Sequence, residues 1–229
     1  MRFKFEAENS EPLGEGVERK TFINPEDSEK VISMKKEGVE KDTPRQLKGR
    51  YYLTKIVHLL FPNHIPDIFQ VRESEDGVQT IDRERIGHTP GHKLLQEMRL
   101  SGGDEESVGK QLADELQEAG RGRWEVDLAL SDIGLGFNID ENLGNYTKDD
   151  KGDVYYLETF NPWQADVEPG QLEALFGEEE LREAIDGITD QEVKEICIHY
   201  LERLLILFEE EKKRVQESPE LYESYEAQL

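Results

Sequence analysis

Cysteine is almost absent: Cys197 stands alone, so the chain can close no internal disulfide and assemble no thiolate zinc site. Its place in an apolar helical pattern marks it as a buried structural thiol. Long hydrophobic runs are missing too. The longest, Leu204 to Phe208, is far too short to cross a bilayer. The start, Met1-Arg2-Phe3-Lys4-Phe5, lacks the apolar segment of a secretory signal, so a cytoplasmic location is expected. Positive charge is the third scarcity, with 28 Lys and Arg against 52 Asp and Glu and a formal charge of −24. Nucleic acid and anionic membranes repel such a surface, which argues against either as a broad electrostatic partner. The chain also lacks a nucleophile elbow, a paired Cys motif and a Walker loop, which disfavours serine-hydrolase, redox and P-loop chemistry.

What is present reads as a globular chain, 35% apolar and 35% charged over 229 residues, enough for one substantial core or two small lobes. The first third alternates like strands, in Arg2-Phe3-Lys4-Phe5, Lys20-Thr21-Phe22-Ile23 and Val31-Ile32-Ser33-Met34, with Asn24-Pro25-Glu26-Asp27 as the turn between the last two. Helical spacing follows from Pro44 to Leu60, through Leu47, Tyr51, Tyr52, Ile56, Leu59 and Leu60. The runs from Ile68 and Val78 flank Glu75-Asp76-Gly77 as a hairpin. After His88 the pattern turns helical, with Leu94, Leu95, Met98, Val108, Leu112 and Leu116 at intervals of three and four.

A second hairpin is expected over 137–160, then a short helix from about Pro169 to Ile188 and a long one from about Asp190 to Arg214. The long helix should bury Val193, Ile196, Tyr200, Leu204, Leu207 and Phe208, and a polar tail runs from Ser218. The expected class is α+β in two lobes. An antiparallel sheet lobe with one helix spans 1–86, and a mainly helical lobe spans 87–229.

Asp140 and Asn145, five apart, precede a short turn and the strand Val154-Tyr155-Tyr156-Leu157, which ends in Glu158. Phosphoryl transfer needs a backbone cradle, a cation near the phosphates, metal-binding groups and a base for the acceptor hydroxyl. Gly14-Glu15-Gly16 between strands admits phosphates close to backbone N–H groups, or is simply a turn. Lys35 at the end of a strand suits ATP phosphates, or is a solvated lysine, and Lys36 beside it competes for the role. Asp140 would face the hydroxyl, while Asn145 and Glu158 would hold Mg²⁺; the plainer reading makes Asp140 to Asn145 turn residues. An EF-hand fails, because Asn145 stands where Gly is required and Lys151 where Glu is. His88 and His92 are separated by Pro90-Gly91 and make no helical zinc pair, and His58, His64 and His199 read as structural or surface residues.

In this order the pieces resemble the protein-kinase-like superfamily, especially small bacterial and archaeal relatives of aminoglycoside and choline phosphotransferases, over roughly Leu13 to Trp163. Leu13-Gly14-Glu15-Gly16-Val17 is similar to the glycine-rich loop, Ile32-Ser33-Met34-Lys35 to the lysine strand, and Ile81 to Gly87 to the hinge. The hinge likeness implies adenine-binding backbone at Glu84 and Arg85. Asp140 to Asn145 is similar to the catalytic loop, and Glu158 stands in the place of the metal-binding Asp. The resemblance implies ATP and Mg²⁺ as cofactors and a small-molecule or protein hydroxyl as acceptor. The departures are Arg19 where a third glycine belongs, Asn138 where His is common, Glu158 for Asp, and Gln46, Lys48 and Arg50 where a helix acid should meet Lys35. They favour a second expectation, a pseudokinase that senses nucleotide or binds protein without turnover. Asp127, five before Asp132, offers a competing register for the catalytic loop.

Overall fold

The computed structural model describes residues 12–15, 18–74, 76–86, 122–136, 139, 145–149, 151, 153–165 and 170–218. The expected N-terminal strand, the helical pattern from Leu94 to Leu116, Gly16, Asp140 and the tail beyond Ser218 lie outside them.

The architecture is mixed α+β. Strands β1 (Gly14–Glu15), β2 (Arg19–Asn24), β3 (Asp27–Lys35), β4 (Ile68–Glu73) and β5 (Gln79–Glu84) form one antiparallel sheet in the order β1-β2-β3-β5-β4. Helix α1 (Pro44–Leu60) connects β3 to β4. Thr43 caps it, its side chain accepting from the Gln46 N–H, with proline at the first turn where no donor is lost. Helix α2 spans 122–132. Then come the hairpin of β6 (Tyr146–Lys148) and β7 (Val154–Tyr156), the hairpin of β8 (Trp163–Ala165) and β9 (Leu172–Ala174), α3 (Glu178–Asp186) and α4 (Gln191–Glu217).

The short helix expected from Pro169 begins only at Glu178, because Leu172–Ala174 pairs with Trp163–Ala165. A three-residue strand has too little alternation to announce itself in sequence. On α4 the buried stripe is Cys197, Leu201, Leu204, Glu211 and Val215, with Tyr200 half-buried, while Ile196 is exposed. Steps of three and four that begin at Cys197 keep one face, and Ile196 falls off it. Burial holds the Cys197 thiol up at about 11, the inert state expected of it.

One apolar core joins α1 to the C-terminal elements, gathering Leu53, Ile56 and Val57 with Tyr156, Phe160, Trp163, Leu181, Leu201 and Leu204. Tyr52 stacks on Tyr200 with centroids 5.7 Å apart. Gly49 makes this packing possible, since a Cβ there would sit 2.8 Å from both Pro162 and the Trp163 ring. No helix among the described residues is long and apolar enough to cross a membrane.

Candidate functional site

Side chains alternate across a pleated strand, and residues paired across strands share a face. Arg19 pairs with Lys35, Thr21 with Ser33, Ser33 with Ile81, and Val31 with Arg83, so these residues occupy one face of the sheet together with Gln79. The Thr21 and Ser33 hydroxyls hydrogen-bond across it at 2.9 Å. The chain leaving β3 turns back over this face. Gln79 pins it from both sides, donating to the Asp42 carbonyl at 2.6 Å and accepting from the Asp42 N–H at 3.1 Å.

That clamp carries the Asp42 carboxylate into the middle of three cations. Arg50 lies 3.1 Å away, Lys35 3.5 Å and Arg19 3.5 Å. All four side chains are at most 14% exposed. Burial opposes ionisation of Asp42, but Arg50, Lys35 and Arg19 together outweigh it and hold the carboxyl below the ordinary aspartate range. Lys35 and Arg50 touch the same oxygen, so the two cations are close neighbours; like charges about 5 Å apart repel by about 3 kcal/mol at an effective dielectric of about 20. Arg19 registers the strain. Its burial first, and repulsion from Arg50 second, lower its pKa to about 10 against the pull of Asp42 and Glu158.

Helix α1 links this cluster to the segment after β7. Gln46, Arg50 and Thr54 recur every fourth residue and so share one face. Gln46 donates to the Trp163 carbonyl at 3.4 Å, Arg50 to the Thr159 carbonyl and hydroxyl at 3.3 and 3.1 Å, and the Phe160 N–H donates to Thr54 at 3.1 Å. Glu158 is thereby held, exposed, at the edge of the cationic face, where its charge acts on Arg19 and Arg83. Burial lowers the Arg83 pKa, and Glu158 opposes that shift.

Lys35 turns to Asp42, whereas Lys36 pairs with the exposed Glu15 at 2.7 Å. Gly14 lies in β1 opposite Thr21, with open space where a Cβ would stand. The backbone at Asn145 meets the segment that leads to Glu158, the Leu157 N–H donating to the Asn145 carbonyl at 2.6 Å. Glu84 and Arg85 sit at the far end of the sheet from Lys35, with Glu84 opposite Lys30. Their backbone N–H groups already donate to Asp67 and Glu29, and the Glu84 carboxylate accepts from the Asp67 N–H. Asp140 and Gly16 lie outside the described residues. Both carboxylate oxygens of Asp127 are engaged, one by the Tyr146 hydroxyl at 2.6 Å and the other by Arg123 at 3.1 Å. His58 and His64 are structural, each bonding a backbone carbonyl, of Ile65 and Val154.

Three contributors escaped the sequence reading. Asp42 supplies the acid that Lys35 lacks on α1, from the loop just before the helix; its one sequence signal is Asp42-Thr43-Pro44, which reads as a helix start. Gln79 carried no signal, and Arg50 stood out only as a base where an acid was expected; the value of both lies in where their partners fold. The donor set is rich in cations and poor in metal ligands: Asp42 is saturated, and no group of three or more His, Cys, Asp or Glu gathers at metal-binding distance among the described residues. Phosphate fits these residues; of the donors foreseen for Mg²⁺, the described ones are Asn145 and Glu158, a thin shell for an ion that demands octahedral oxygens.

No family model matches the sequence, and no curated protein matches it. Among solved structures, the Helicobacter pylori proinflammatory kinase CtkA matches with 10% identity over 92% of this chain and 94% of that one, at a TM-score of 0.34. Overlap at that level decides neither fold nor activity.

Proposed function

We propose that the chain is a kinase-like phosphotransferase that uses ATP and Mg²⁺ to phosphorylate a hydroxyl on a small molecule or a protein. What supports the reading is the convergence of Lys35 at the end of β3 with Asp42, Arg50 and the segment that carries Glu158. A lysine held beside a buried acid is a positioned phosphate ligand instead of a solvated one. In this reading the sheet and α1 form the nucleotide-binding part within 1–86, and Gly14 and Gly16 lie over the phosphates. Glu84 and Arg85 border the adenine, Asn145 and Glu158 hold the metal, and Asp140 orients or deprotonates the acceptor. Calorimetric titration with ATP, with and without Mg²⁺, tests it beside Glu158→Ala. ATP binding is expected, followed by Mg²⁺-dependent phosphate transfer that is lost in Glu158→Ala and abolished in Asp140→Ala; no binding under any condition removes the reading.

A second reading, a pseudokinase that binds nucleotide without turnover, is favoured by one observation. The buried acid of the cluster is held by three cations and is closed to a metal. Nucleotide binding with no transfer to water or to any acceptor, unchanged in Asp140→Ala, would select it.

A further inference from the structure

In a chain with a formal charge of −24, four cations collect on one face of the sheet: Arg19, Lys35, Arg50 and Arg83. Among the described residues they meet one buried carboxylate, Asp42, and two exposed ones, Glu158 and Glu18. One positive charge is left over. The contacts are also loose. Lys35 and Arg19 approach Asp42 only to 3.5 Å, well beyond the ~2.7–2.9 Å of a committed charge-assisted bond. Arg19 Nη1 and Arg50 Nε are buried with no hydrogen-bond partner among the described residues. Orphaned buried donors are costly and call for an explanation. A purely structural ion cluster would balance its charge and close its bonds, and this one does neither.

We propose that Arg19 and Arg50, with Lys35, form a polyphosphate-binding site whose surplus positive charge does part of the work of a divalent cation, so that the triphosphate of a nucleotide binds there with little need of Mg²⁺. The inference rests on the nucleotide reading above and deepens it, by naming the two arginines and the weak metal dependence. The chemistry is direct. Planar guanidinium groups donate to phosphate oxygens in pairs, and the ligand's oxygens accept from the donors that Asp42 leaves open. Arg19, at 14% the most exposed of the three side chains on Asp42, is where the anion arrives. An anion at this point also relieves the repulsion between Arg19 and Arg50, so binding stabilises the fold.

The test is calorimetry with ATP and with sodium tripolyphosphate, each in Mg²⁺ and in EDTA, on the unaltered protein, Arg19→Gln and Lys20→Gln. Lys20 is exposed and points from the opposite face, so its variant controls for general charge loss. Thermal unfolding of each variant without ligand checks the fold, and Arg50→Lys, which keeps the charge toward Asp42, covers the case in which Arg19→Gln does not fold. Affinity in EDTA within about threefold of that in Mg²⁺ is expected. Arg19→Gln should weaken both ligands about tenfold or more, the equivalent of one charged hydrogen bond, with Lys20→Gln unchanged. ATP binding that requires Mg²⁺, or that Arg19→Gln leaves intact, overturns the inference and spares the nucleotide reading. Tripolyphosphate binding as tightly as ATP keeps the anion site and removes the nucleotide reading. Failure of both ligands in every condition removes both.

Discussion

The two flanks of α1 are held by opposite physics. Toward α4 lie Tyr52, Leu53, Ile56 and Val57, in one apolar cluster with Tyr200, Leu201 and Leu204. Toward β3 and the 159–163 segment lie Gln46, Arg50 and Thr54, each committed to a named hydrogen-bond or ionic partner. Burial of apolar surface is non-directional and additive, so the first flank tolerates change in proportion to the volume lost. Buried charge is directional and depends on every member, so the second fails when one partner goes. A single helix thus carries a stable mount on one side and a responsive site on the other.

The sharpest way to break the contrast is Asp42→Asn, which strips from Arg19, Lys35 and Arg50 the only buried counter-charge they meet among the described residues. A loss of about 3–5 kcal/mol is expected, read by urea denaturation. Because the Asp42 carboxyl titrates below the ordinary range in the folded chain, its contribution is fully present above the unfolded value of about 3.9. It disappears as pH falls through the lower folded value. The gap between Asp42→Asn and the unaltered chain should therefore close only below about pH 4. A gap that instead closes between pH 5 and 7 would place the effect on another group.

On the apolar flank, Leu204→Ala removes a fully buried side chain. It should cost about 3 kcal/mol with no such pH dependence. Gly49→Ala probes the close approach of Trp163, and overpacking by one methyl is expected to cost about 1–3 kcal/mol in thermal unfolding. Tyr146→Phe deletes the hydroxyl that Asp127 accepts from, while Arg123 remains, so about 1 kcal/mol is expected. At the small end, Arg182→Ala breaks an exposed pair with Glu178 and should change stability by less than about 0.5 kcal/mol. A larger effect there would blur the distinction between buried and exposed charge on which the comparison rests.

Much of the fold was legible. The strands from Lys20 and Val31, the turn at Asn24, the helix from Pro44, the hairpin around Asp76-Gly77 and the long terminal helix all carry periodic or turn signals. The β8–β9 pair was not, since three residues a side have no period to read. Of the candidate site, Lys35 and Glu158 are legible as residue types in a pattern; Lys35 lies on the sheet face that carries Arg19, and Glu158, in the segment after β7, acts on that same arginine. Asp42 was not legible, because the acid that partners Lys35 lies in the loop before the helix and not on it.

The amino-acid sequence by itself determined the elements, the acidic surface and the solitary cysteine, for these follow from local spacing and composition. Only the tertiary structure decided that one aspartate would face three cations. Which charges meet depends on how the loop after β3 folds across the sheet, where Gln79 clamps it, and on how α1 docks the 159–163 segment. Those distances are fixed by packing between residues far apart in the chain, and no local pattern encodes them.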